Sequence, residues 1–133
     1  MIKVLLSLVL FVLFSYTSYR TVEPVLLPIE QVDKILFSYL ALPFIAVWGL
    51  CIFGGVSLFV SFNCFINKQD YKGSMRTLYL SMFVGAIIGL SVNYANFYLV
   101  IKPHNMVECP EKAGYKKNLM RDYVMDLSLC EKL

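Results

Sequence analysis

The sequence predicts an all-α membrane protein with three transmembrane helices, at about 3–20, 35–66 and 77–101, and a short amphipathic helix in a C-terminal tail. Three observations lead there. The composition is 59% hydrophobic and 16% charged, whereas soluble domains run nearer 45–50% apolar and about 25% charged. Residues 35–67 and 77–101 contain no charged side chain. The polar end of the chain is bracketed by two cysteines, Cys109 and Cys130. No Pro-, Gly- or Ser-rich linker interrupts the chain, so one membrane domain over 1–133 is expected, with 102–133 as its tail.

The first run, VLLSLVLFVLFSYTSY at 4–19, begins just after Lys3. A basic start and a short apolar core also describe a cleaved signal peptide. The SYTSYR that follows is not a small-x-small cleavage site, and Tyr16 and Tyr19 suit an interfacial aromatic belt. A retained span is the expectation, with a cleaved signal as the alternative.

A spanning helix needs about 20 apolar residues, and the 35–67 run exceeds that. Pro43 lacks an N–H and clashes with the preceding turn, so a helix starting before it and kinking there is expected, its first turns projecting past the bilayer. Within this span Cys51 and Cys64 read as small apolar residues. In the third span Ser81, Gly85, Gly89 and Asn93 recur every four residues. Small residues at that spacing let backbones approach closely, and Asn bonds across an interface. Packing against Gly49, Gly54 and Gly55 of the second span is expected; homodimerisation through GAIIG is the alternative, so a homo-oligomer stays possible.

Short loops rich in Lys and Arg stay in the cytoplasm. The 67–76 loop carries Lys68, Lys72 and Arg76 against Asp70, and the 20–34 loop carries Arg20 and Lys34 against Glu23, Glu30 and Asp33. The N-terminus is therefore expected inside, and three crossings put the tail outside. On an oxidising side Cys109 and Cys130 are expected to form a disulfide. In the chain-entropy model, closing a loop of about 20 residues contributes about 3 kcal/mol. Inside the bracket Leu119, Met120, Tyr123, Val124 and Leu127 recur at spacings of three and four, which predicts a short amphipathic helix.

Several function classes are disfavoured. The net charge of +3 is spread out, with only Lys116 and Lys117 adjacent in the tail, so nucleic acid is not an expected partner. His104 is the only histidine, so neither a metal site nor a cofactor is expected. The outside carboxylates show no acid–base pairing, and no phosphate loop is present, so the chain is not expected to be an enzyme. The predicted spans hold no ionisable side chain of the kind that pumps and proton-coupled transporters need.

The tail, with Cys109 and Pro110 and then Tyr123, Val124, Asp126, Leu129 and Cys130, resembles that of a family of enterobacterial three-span inner-membrane proteins with a C-terminal cysteine pair. That family commonly carries a tryptophan after the first cysteine, where this chain has EKAGYKK. The resemblance implies a bacterial inner membrane, with the tail in the periplasm. In design the chain is also similar to small membrane immunity proteins. The expected partners are the lipid bilayer and a protein, either a membrane-active or periplasm-acting toxin that the chain neutralises or, alternatively, an envelope complex of which it is an accessory subunit. Ser81, Gly85, Gly89 and Asn93 are expected to pack helices, and Glu30, Asp33, Tyr115, Arg121, Asp122 and Tyr123 to present a partner-binding surface.

Overall fold

The computed structural model describes residues 2–70, 72–110 and 120–132. Three helices dominate it: α1 (Ile2–Leu26), α2 (Leu42–Ile66) and α3 (Met75–Ala95). The turn of α3 widens into a π-helical stretch at Asn96–Ile101. Each of the three is long and apolar enough to cross a membrane, as the sequence predicts. This is a multi-pass membrane protein. Large apolar side chains stand exposed along the helices, among them Leu5 and Leu6, Phe59 and Phe62, and Phe83 and Ile87. A soluble protein rarely exposes so much apolar surface; on membrane-length helices it is the lipid-facing surface.

The helix ends differ from expectation for local reasons. α1 runs past its expected end at 20 to Leu26, although it contains Pro24. Proline removes one backbone bond, and an Arg20–Glu23 ion pair at i, i+3 spans the same turn. At 1.5 Å per residue, this helix is about 37 Å long, more than the roughly 30 Å of hydrocarbon. No turns of α2 precede Pro43, so there is no kink at it. The helix begins at Leu42, with Pro43 in its first turn, where the missing N–H has no intrahelical partner to lose.

α2 closes in a Schellman motif. Lys68 takes a left-handed φ of 53°, Gln69 N–H donates to Cys64 O at 2.9 Å, and Lys68 N–H donates to Phe65 O at 3.4 Å. The π-helical segment closes the same way on Asn105, at φ 48°, with Met106 N–H donating to Ile101 O at 3.2 Å.

The chain packs as two compact units. The first, Met1–Ser18 with Ile45–Gly89, is helical and held by small residues. Gly85 lies against the backbone of Gly49 so closely that a Cβ would overlap it. Gly54 meets α1 instead: a Cβ there would stand 3.3 Å from Phe11 Cα. Ser15 and Cys51 share a hydrogen bond of 3.6 Å between α1 and α2. Of the residues expected to pack helices, Ser81, Gly85 and Gly89 are buried here. Dispersion between closely approaching backbones is the cohesive force available to such helices in lipid.

The second unit, Tyr19–Phe44 with Leu90–Leu133, contains a small antiparallel sheet. Its strands are β1 (Ile35–Phe37), β2 (Val107–Glu108) and β3 (Arg121–Val124), in the order β1-β3-β2. The helix expected across 119–127 is therefore corrected, since Arg121–Val124 is a strand. Tyr and Val favour strands, and pairing on both edges satisfies backbone groups that a short isolated helix would leave open. Likewise 35–37, expected at the head of the second span, is the strand that pairs with it.

Ile35, Phe37, Val100, Ile101, Met106 and Tyr123 form the core of this unit with Val32. The Cys109–Cys130 disulfide, with Cα atoms 5.7 Å apart, ties the end of β2 to the 3-10 turn after β3.

Candidate functional site

β3 is the central strand, and its two faces do different work. Ile35 pairs with Tyr123 and Phe37 with Arg121, so these four side chains share one face. On that face Phe37 is the hub. Its ring lies 4.8 Å from Phe97, 5.3 Å from Tyr39, 6.0 Å from Tyr94 and 6.2 Å from Tyr123, mostly edge-on.

Charges are held at the rim of this cluster. Glu108 of β2 forms an ion pair with Arg121 through one carboxylate oxygen and accepts the Tyr123 hydroxyl at 3.3 Å through the other. The Arg121 guanidinium also stands 5.1 Å over the Tyr39 ring. On the opposite face Lys34 reaches Asp122 at 4.0 Å. Burial, reinforced by the neighbouring Tyr39 phenol, pushes the Tyr123 phenol above its ordinary pKa.

Two amides anchor the unit. Asn93 is fully buried and bonds both backbone groups of Ser38. Asn96, 1% exposed, donates to Thr21 O at 2.9 Å. Asn93 thus departs from its expected role: it does not continue the helix-packing line but ends a strand.

The expected partner-binding residues fall into three groups. Glu30 and Asp33 are exposed, in the segment leading to β1. Arg121 and Asp122 are half-buried and ion-paired at β3. Tyr123 is corrected: at 7% exposure it belongs to the core. Tyr115 lies outside the described residues.

Sequence reading missed Phe37, Tyr39, Tyr94, Tyr98 and Glu108. The signal was the aromatic density of YANFYL at 94–99, which was absorbed into the third span.

His104 is exposed, with Nδ1 2.9 Å from Val100 O. Among the described residues, no three His, Cys, Asp or Glu side chains converge in a way that would hold a metal ion. What the arrangement offers is a small preordered surface with exposed Tyr39 and Leu40, a half-buried arginine and an acidic approach loop. No family model, curated protein or solved structure matches the chain.

Proposed function

We propose that this chain is a binding protein of a bacterial inner membrane, with its N-terminus in the cytoplasm and its tail in the periplasm. In this reading its second unit recognises and neutralises a membrane-active or periplasm-acting toxin. The observation that carries the reading is the pairing of β1 with β3. β1 lies between the first two spans and β3 lies in the tail. Three crossings leave those segments on one side of the bilayer, as the pairing requires.

Two further features support the orientation. A disulfide in this unit fits an oxidising compartment. The short 67–76 loop, with Lys68, Lys72 and Arg76, fits cytoplasmic retention.

Neutralisation by binding needs no catalytic group. It needs a surface ordered before the partner arrives, because ordering on contact weakens affinity. The disulfide, the sheet and the Asn93 clamp provide that order. Tyr39 and Arg121 are residue types that carry disproportionate binding energy, and Glu30 and Asp33 would steer a cationic partner.

The test is survival. Cells expressing the chain should withstand at least one periplasm-acting or pore-forming toxin that kills cells without it, and Tyr39→Ala with Arg121→Ala should abolish protection while leaving accumulation intact. Unchanged killing across all toxins, together with co-purification of a resident envelope complex, would instead mark an accessory subunit.

A further inference from the structure

Along α3, Phe83, Ile87, Leu90 and Tyr94 recur at spacings of four, three and four, and all four side chains are exposed. Helical periodicity puts them on one face. Tyr98 follows four residues later in the π-helical turn, and Lys102 four beyond that, both exposed. The Tyr94 and Tyr98 rings stack, with centroids 6.4 Å apart and planes 25° apart. Lys102 Nζ stands 5.6 Å over the Tyr98 ring. Beyond Tyr94 the ledge continues, because the Tyr94 hydroxyl donates to Tyr39 O at 3.4 Å.

The two cations beside this ledge differ. Arg121, over Tyr39, is ion-paired with Glu108. Lys102 is exposed and has no acidic partner among the described residues.

We propose that Tyr94, Tyr98 and Lys102 grip the headgroup region of a phospholipid at the C-terminal end of the third span. The occupant follows from the order of chemistry along the face. Phe83, Ile87 and Leu90 offer apolar surface suited to acyl chains. The tyrosines are amphipathic and suit the glycerol and ester level, where aromatic belts concentrate. Lys102 then extends from the end of the helix, its exposed ammonium over the Tyr98 ring at the level where a phosphate would lie. A soluble protein partner would have no use for the apolar half of this face. The proposal stands apart from the toxin reading.

Native mass spectrometry of the full chain in detergent with added phosphatidylglycerol tests it. Wild type should retain bound lipid, and Lys102→Ala should lower its occupancy about five-fold, the effect of one interfacial cation. Tyr98→Ala should also lower it, and Lys68→Ala should not. Equal retention by wild type, K102A and Y98A would overturn the proposal. So would displacement of the lipid by excess inorganic phosphate, which would indicate a free-anion site.

A second measurement covers depth. Tyr98→Trp in a Trp48→Phe background should be quenched most by lipids brominated nearest the headgroup. No quenching, or strongest quenching from chain ends, would equally overturn the proposal.

Discussion

The side-chain amide of Asn93 holds both backbone polar groups of Ser38: Oδ1 accepts the Ser38 N–H at 3.1 Å, and Nδ2 donates to the Ser38 carbonyl at 2.7 Å. Both residues are at most 1% exposed. The amide acts as a one-residue strand beside the end of β1. It fixes the turn in which Ala41 N–H donates to Ser38 O at 3.2 Å and Ala41 adopts a left-handed φ of 51° before α2 begins. One polar side chain on α3 therefore sets where a strand stops and the next helix starts.

Asn93→Ala should leave two buried backbone groups without their side-chain partner and cost about 2–4 kcal/mol. Hydrogen exchange should report faster exchange at the Ser38 amide, with smaller changes in Met75–Gly89. Asn93→Asp keeps the acceptor but loses the donor and buries a charge, so it should be at least as damaging. Unchanged exchange at Ser38 in both variants would show that the clamp does not hold the strand.

Gly85→Leu should be among the most disruptive single changes in the helical unit. Even a Cβ at this position would overlap the Gly49 backbone, and backbone cannot step aside as a flexible side chain can. A cost of about 3 kcal/mol or more is expected, at or beyond the upper end of ordinary overpacking. Gly54→Ala should be milder, because its nearest contact, at 3.3 Å, is to Phe11 Cα. Thermal stability in detergent and accumulation in membranes should rank wild type, Gly54→Ala and Gly85→Leu in that order.

Replacing Cys109 and Cys130 together with Ser should destabilise the second unit by about 3 kcal/mol while leaving the three helices in place. Exchange should quicken at β3 and in the Leu127–Lys132 turn. Circular dichroism should keep its helical signal. Loss of the helical signal as well would mean that the staple supports far more than the sheet.

Tyr123 gives the second unit an alkaline limit. Its neutral form is favoured in the fold, so its folded pKa lies above the ordinary phenol value of about 10. Stability from the neutral form is fully present below the unfolded value and is lost as pH rises through the folded one. The sheet should therefore loosen above about pH 10. Tyr123→Phe should cost about 1 kcal/mol at neutral pH, through the lost bond to Glu108, and flatten the alkaline decline. An identical decline in Tyr123→Phe would assign it to another group.

The three spans were legible because a bilayer permits few solutions, and long charge-free runs satisfy one of them. The cysteine pairing was legible once parity placed the tail opposite the Lys-rich loop. The strands were not. ILF at 35–37 sits directly before an apolar run and carries no polar alternation, so nothing local separates it from the helix that follows. Pro43 carries the clue, because a proline suits the first turn of a helix, yet within a long apolar run it equally predicts a kink. At Arg121–Val124 a run of four residues satisfies helical and strand spacing alike, and partners far away in sequence decided the outcome. The role of Asn93 was hidden for the same reason, since its partner is Ser38, 55 residues away.

Counting accessible thiols tests most directly the proposal that the stapled unit lies on the oxidising side of the membrane. Protein acid-trapped from growing cells, denatured and treated with a bulky maleimide should take up two labels, at Cys51 and Cys64, and four only after reduction. Four labels without reduction would contradict the stapled unit and, with it, the proposed placement of the tail in the periplasm.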